Sequence, residues 1–291
     1  MIKAFLTRLD SSSNRGAVIA AAETVFAIAH SVLRHVPGRP RCPVCGALLL
    51  CVYRPVFSKQ LINEWQLNAD WEEFYNRREG EICLSCGGSI RGRQIGAAVV
   101  NWINRTLSAN FQDAYQAFRD EKVRGLKIAE INSCGGIHKI LGRLPNVSYS
   151  EFEPQDTRIR HENLLGLSYG DNTFDLVLHS DTLEHVPDID RALSELRRVL
   201  KPGGAMIFSI PIVRDGRATL VRAKLQNGEL KHFSPPSYHG GSYQATSQYL
   251  VCYEFGEDFL ELLKGHGFEV ELLEYPDNPA AVTFTAIKPG A

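Results

Sequence analysis

FDLVLHSDTLEHVPDIDRALSELRRVLKPGGAMIFSIP, residues 174–211, sets the pattern for the chain. Phe174-Asp175-Leu176-Val177-Leu178 is a short apolar run of bulky and β-branched residues, the composition of a buried strand. Pro187 and Asp188 punctuate the loop that follows. Leu193, Leu196 and Leu200 then recur at helical spacing, with Glu195, Arg197 and Arg198 on the opposite face. Lys201-Pro202-Gly203-Gly204 stops the helix, because proline cannot continue it and glycine tolerates positive φ. Residues 205–210 form a second apolar run. Strand, helix, turn and strand make one βαβ unit, and such units build parallel sheets covered by helices.

The rest of the chain surrounds that unit. Its 291 residues have room for two modest domains, or for one with a small appendage. Charge is nearly balanced, 32 basic against 33 acidic side chains, but unevenly placed. Residues 1–60 carry 8 Lys and Arg against 2 Asp and Glu, whereas the tally from residue 125 onward is 16 against 22. An acidic half containing the βαβ unit argues against a catalytic domain that wraps nucleic acid. The alanine-rich stretch over residues 16–36, with Val25, Ile28 and Val32 on one face, predicts an amphipathic helix closed by Pro37-Gly38. Its apolar portion holds Glu23 and His30 and falls short of the roughly 20 residues a membrane span needs, so stable membrane insertion is not expected. Residues 1–38 thus form an N-terminal unit, 39–95 a cysteine-bracketed region, 96–124 a connecting helix, and 125–291 the main domain.

Cys42-Pro43-Val44-Cys45-Gly46 and Cys83-Leu84-Ser85-Cys86-Gly87 bracket the second region. Each C-x-x-C sets two thiols on one tight turn, and the following glycine lets backbone amides turn toward the sulfurs. Two such turns supply the four ligands of a closed structural Zn²⁺ site, here Cys42, Cys45, Cys83 and Cys86. The 37 residues between Cys45 and Cys83 exceed the compact spacing and predict a zinc ribbon with an insertion. Two unrelated redox or buried pairs are the competing reading, but a redox C-x-x-C opens a helix in a thioredoxin-like unit. Cys51, Cys134 and Cys252 have no partner at ligand spacing and are expected as packed thiols. Unpaired thiols in this number fit a reducing cytoplasm.

Upstream of the βαβ unit, residues 126–141 read as strand, glycine turn and helix, with Gly135-Gly136 at the turn. Small residues let the backbone approach a ligand, and the helix N-terminus behind them presents free amides. Glu151 follows Glu130 by 21 positions, after Val147-Ser148-Tyr149-Ser150. An acid so spaced at the end of a second strand is placed to bond both hydroxyls of a ribose, with Glu153 the lesser alternative.

Here the residues resemble a known family. Glu130 to Gly136, Ser150-Glu151-Phe152, His161-Glu162-Asn163-Leu164, Leu167-Ser168-Tyr169, Asp171 to Asp175, Leu183-Glu184-His185-Val186-Pro187 and Arg198 to Gly204 follow the order seen in class I S-adenosylmethionine-dependent methyltransferases. The resemblance spans residues 127–287. It is most specific over 164–211, where it is similar to the subgroup that includes quinone-biosynthesis enzymes. The family's Asp/Glu-x-Gly-x-Gly-x-Gly loop departs here to Asn132, Ser133 and Cys134 before the two glycines. The resemblance implies a doubly wound, mostly parallel seven-stranded α/β sheet, Rossmann-like, that binds S-adenosyl-L-methionine. It implies Glu130 at the cofactor's amino-acid end, Asn132, Cys134, Gly135 and Gly136 in the loop, and Glu151 with Phe152 at the ribose. It further implies Glu162, Asn163 and Leu164 near adenine, and His179 and Ser180 beside the sulfonium. A solvated loop carboxylate is the alternative for Glu162.

Methyl transfer from a sulfonium is an in-line displacement, so the protein aligns the reactants, excludes water and often removes a proton. Asp181, Glu184 and His185 are candidate bases that share a face on a helical turn. Some related O-methyltransferases use a similar acid-x-x-Glu-His segment to hold a divalent ion; local pairing of Glu184 and packing of His185 is the competing reading. The stretch 212–251 interrupts the alternation and reads as a substrate-covering lid. Within it His232 to Gly240 offers imidazoles and a phenol, and His239 is the candidate lid base. The expectation is a methyltransferase for a small-molecule or glycan- or lipid-linked acceptor, with the zinc ribbon supporting the fold or presenting substrate. An RNA methyltransferase and a cofactor-binding scaffold without turnover are the alternatives, the former opposed by the lack of a basic aromatic platform.

Overall fold

The computed structural model describes Gly38, residues 40–239 and residues 249–290. The helix expected over 16–36 and the glycines at 240 and 241 lie outside the described residues. In the cysteine-bracketed region, β1 (Cys51–Tyr53) and β2 (Glu81–Cys83) pair antiparallel, with Cys51 opposite Cys83. Between them lie α1 (Lys59–Glu64) and α2 (Ala69–Gly80). Ser58 and Asn68 cap these helices, their side-chain oxygens accepting from the amides of Leu61 and Trp71. Helix α3 (Ile90–Leu107) starts at the cap Ser89 and ends at Ser108 in the left-handed conformation. The helix expected over 96–124 therefore begins earlier and stops sooner, and two single turns, Ala114–Ala117 and Glu121–Arg124, complete the link.

The remaining chain forms a seven-stranded sheet: β3 (Ile128–Ile131), β4 (Val147–Glu151), β5 (Arg160–His161), β6 (Phe174–Ser180), β7 (Leu200–Ser209), β8 (Glu269–Tyr275) and β9 (Asn278–Ile287). The order is β8-β9-β7-β6-β3-β4-β5. Strands β5 to β7 with β3 and β4 are parallel, and β9 runs antiparallel to both β7 and β8. This is the doubly wound, mostly parallel sheet with a closing hairpin that the sequence predicts. One detail differs. Lys201 to Gly204 does not separate helix from strand but sits inside β7 as a bulge, since Phe174 pairs with Leu200 and Leu176 with Ala205. Gly203 supplies the positive φ of 78°, and a Cβ on Gly204 would meet three carbonyl oxygens at 2.9–3.1 Å.

Each face of the sheet is covered by a different part of the chain. On one, α4 (Ile189–Val199) and α5 (Phe259–Gly265) bury Leu193, Leu196, Phe259 and Leu263 against Val177, Met206, Phe208 and Phe284. On the other, α3 buries Ile95, Val99 and Ile103 with Leu176, Leu178, Ala205, Ile207 and the cysteine turns. Only a 3₁₀ turn, Gly135–Ile137, and a single α turn, His138–Leu141, join β3 to β4, and no helix joins β4 to β5. Helix α3 fills the face that those connections leave bare. Each buried aliphatic side chain contributes roughly 1.5–3 kcal/mol, so the cysteine region is welded to the sheet rather than appended to it. The insertion lies across the carboxyl ends of β6 and β7 as short ladders, including Tyr238–His239 against Tyr249–Leu250.

Candidate functional site

Chain direction across the sheet reverses between β3 and β6, which opens a crevice beyond their carboxyl ends, the place where such sheets take ligands. The loop after β3 lines it. Asn132 sits at φ 59°, where glycine is favoured and asparagine is the best-tolerated substitute. Its Oδ1 accepts from the Phe152 amide and its Nδ2 donates to Thr182 Oγ1, both at 3.3 Å, so the side chain bridges the ends of β4 and β6. Glu130, 1% exposed, turns its carboxylate onto the loop itself. Oε1 accepts from the Cys134 amide at 2.9 Å, and Oε2 lies 2.7 Å from His138 Nδ1. That carboxylate raises the pKa of His138. Cys134 is buried, and burial pushes its thiol well up.

The two glycines divide the work. Gly135 has φ 66° and nothing within 4 Å of where a Cβ would stand, leaving bare backbone open to a ligand. Gly136 is needed by the cysteine region, since a Cβ there would lie 2.8 Å from Gly88 Cα and 3.4 Å from Cys86 Sγ. Glu151 ends β4 half-buried, accepting from the Tyr149 hydroxyl, and Phe152 beside it is 44% exposed with its ring 5.7 Å from that of His161. Bare backbone, an acid at a strand tip and an exposed ring are what a nucleoside requires, and these residues fit one.

Other residues singled out in the sequence take structural places. Glu162 is buried and accepts from the Ser168 amide at 2.9 Å and Arg160 Nε at 2.6 Å, bracing its own turn. Asn163 Oδ1 accepts from the Leu165 amide at 2.9 Å, and Leu164 packs in the core. His179 lies inside the sheet, stacked on Phe208 at 4.6 Å, and burial pushes its pKa down to about 3. Ser180 bonds Ser209 Oγ at 3.1 Å and receives Arg91.

Sequence reasoning missed the two arginines that cross from the cysteine region. Arg78, 1% exposed on α2, donates to both Asp181 oxygens at 2.8 and 2.7 Å and to the Ile210 carbonyl at 3.3 Å. Arg91 holds Glu79, Ser180 and Asp181. Burial opposes the Asp181 charge, but these guanidiniums overcome it and hold its carboxyl well below the usual range. The available signal was periodicity, for Trp71, Tyr75 and Arg78 fall at i, i+4 and i+7, placing an arginine on a core stripe.

Beyond Asp181, the structure brings Glu184, His185 and His239 together, with ligand-capable atoms all within 4.8 Å of one another. The four cysteines also converge. Cys42, Cys45, Cys83 and Cys86 present sulfurs within 4.8 Å of one another, Cys42 and Cys86 at 3.7 Å, and none is in a disulfide. Amides of Gly46 and Gly87 close the two turns on the carbonyls of Cys42 and Cys83 at 2.8 and 2.9 Å. Hydrogen bonding with Cys42 lowers the Cys83 thiol pKa below its usual value. Four clustered thiols suit one thiophilic divalent ion.

Residues 144–208 match the family model described as a methyltransferase domain. A demethylmenaquinone methyltransferase of Bacillus mycoides is 36% identical over 88 residues, 30% of this chain and 33% of that protein. A glycine/sarcosine/dimethylglycine N-methyltransferase of Actinopolyspora halophila is 33% identical over 117 residues, 40% of this chain and 20% of that protein. The chain spans about a third or less of the length of these curated relatives. An S-adenosylmethionine-dependent methyltransferase structure from Mesorhizobium loti superposes with a TM-score of 0.37 at 20% identity, covering 56% of this chain and 91% of that one. Sheet order and crevice define the C-terminal part as a doubly wound α/β domain with its crevice at the switch point. The methyltransferase-domain match falls within this sheet, from just before β4 to near the end of β7. No helix among the described residues is long and apolar enough to cross a membrane.

Proposed function

We propose that this protein transfers a methyl group from S-adenosylmethionine to a small-molecule acceptor, with Zn²⁺ held by Cys42, Cys45, Cys83 and Cys86 as a structural ion. The observation that carries the reading is the methyltransferase-domain match over 144–208, which begins just before β4 and so includes Glu151 at its tip. When bound, the cofactor supplies a methyl group already activated by its sulfonium. Glu151 holds the ribose hydroxyls, Gly135 allows close backbone approach, and Phe152 offers a ring face to adenine. Asn163 and Leu164 border the adenine side. Glu130 acts one step back, shaping the loop through Cys134 and His138. Ser180 and Asp181 close the methyl end, and the insertion covers the acceptor side and excludes water.

A small acceptor is supported by the relatives, a demethylmenaquinone methyltransferase and a glycine/sarcosine/dimethylglycine N-methyltransferase. A glycan- or lipid-linked acceptor is the wider form of the same proposal. The test is incubation of the full chain with methyl-labelled cofactor and fractionated cell extract, followed by mass spectrometry. A labelled small molecule is the expected result. Saturable cofactor binding with no labelled product in any fraction would overturn turnover in favour of a cofactor-binding scaffold.

A further inference from the structure

Both Glu184 carboxylate oxygens and His239 Nε2, all buried without a hydrogen-bond partner, lie at one cavity. Glu184 is 1% exposed, and neither of its carboxylate oxygens has a hydrogen-bond partner. His239 Nε2 is likewise buried without one. His185 donates Nδ1–H to the Leu250 carbonyl at 2.9 Å, since a carbonyl can only accept. That bond fixes the tautomer and leaves Nε2 with a free lone pair, 3.6 Å from Glu184 Oε1. A buried carboxylate without partners costs several kcal/mol unless it is neutralised or coordinates a cation. Glu184 and His239 face a cavity of about 20 Å³ shared with Trp65 and Tyr75, enough for an ion or a water and too small for a nucleoside.

We propose that Glu184, His185 and His239 hold one divalent transition-metal ion, a centre separate from the four cysteines. Two imidazoles and a carboxylate suit Zn²⁺, Fe²⁺, Co²⁺ or Mn²⁺, whereas Mg²⁺ and Ca²⁺ prefer all-oxygen sites. Tetrahedral ligation at about 2.0–2.1 Å sets donors roughly 3.3 Å apart. The observed separations, all within 4.8 Å, need to shrink by at most about 1.5 Å on ligation. Bonding of His185 to Leu250 is the second contact that orients a ligating imidazole. Three protein ligands leave a coordination position open toward the cavity.

Asp181 is not a ligand. Arg78, Arg91 and Ser209 occupy its oxygens, so the acid three residues before Glu184 is spent on the cysteine region. The third ligand comes from the insertion instead. Nearby cations are already paired, Arg78 with Asp181 and Arg217 with Asp215 at 2.7 Å. An ion here ties the insertion to the loop after β6. Its use in polarising an acceptor oxygen rests on the methyltransferase reading, but its binding does not.

The test uses tag-free full-length protein with metal already at the cysteines, titrated with Co²⁺ and read by elemental analysis after dialysis and by visible absorption. One further equivalent is expected, with weak d–d bands and no sulfur-to-cobalt charge transfer. It should raise the melting temperature of the wild type. His239→Ala and Glu184→Gln should each weaken that equivalent by at least about tenfold and abolish the thermal shift. His239→Ala, on the insertion's edge, keeps the test decisive should Glu184→Gln fail to fold. Absence of a second equivalent, thiolate bands from it, or unchanged uptake in His239→Ala would overturn the proposal.

Discussion

Replacing Arg78 by methionine tests whether the cysteine region and the seven-stranded sheet fold as one unit. Arg78 is buried, makes a two-pronged contact with Asp181 at 2.8 and 2.7 Å, and reaches the Ile210 carbonyl at 3.3 Å. Methionine fills much of the volume but leaves Asp181 charged beneath the insertion. Breaking a buried ion pair by removing one partner costs about 3–5 kcal/mol. Arg91 remains 3.5 Å from Asp181 and softens the loss, which places the expected cost near 3 kcal/mol. In a chain of 291 residues that unfolds as one unit, this lowers the melting temperature by about 5 °C. Urea unfolding of the zinc-loaded protein reads it directly, since Trp65, Trp71 and Trp102 are all buried and report loss of packing. Adding Asp181→Asn, which keeps a residue tolerant of φ 45°, should recover part of the loss, with a coupling of about 1–3 kcal/mol. A single variant within about 1 kcal/mol of wild type, or strictly additive single effects, would refute the reasoning.

The remaining tests bear on the loop after β3. Cys83→Ser should lower zinc content to near zero by elemental analysis. Because Cys86 and Gly88 pack on Gly136, it should also weaken cofactor binding, and a zinc-free variant with unchanged cofactor affinity would uncouple the two. Gly136→Ala should destabilise by about 1–3 kcal/mol in denaturant melts, since the new Cβ meets Gly88 backbone at 2.8 Å and neither chain can yield cheaply. His138→Gln tests the contact with Glu130. The folded pKa of His138 is raised, so its stabilisation is full below about pH 6.5 and fades as pH rises through the folded value. The wild-type advantage in melting temperature should therefore be larger at about pH 5.5 than at about pH 9; a pH-independent difference would dismiss the pair.

Local pattern made the sheet legible. The 174–211 stretch announces two strands and a helix because apolar residues change period from run to run, and β6, α4 and β7 follow. The cysteine spacing announces a four-sulfur cluster because two tight turns leave little freedom. Harder to see was what covers each face. Residues 138–141 make only one turn before Gly142, and α3 takes over that face from outside the domain, which no local signal reveals. The site shows the same limit. Glu151 and Gly135 are marked by spacing, but the inward turn of Glu130 depends on His138, and the burial of His179 depends on which side of β6 faces Phe208. Arg78 meets Asp181 across 103 residues, a pairing only the folded sheet creates.

Calorimetric titration with S-adenosylmethionine, wild type beside Glu151→Ala, tests the central claim most directly. Saturable one-to-one binding in the wild type, weakened at least about tenfold (about 1.4 kcal/mol) in the variant, is the predicted outcome. Equal affinity in both proteins, or no binding heat at about millimolar cofactor, would contradict it.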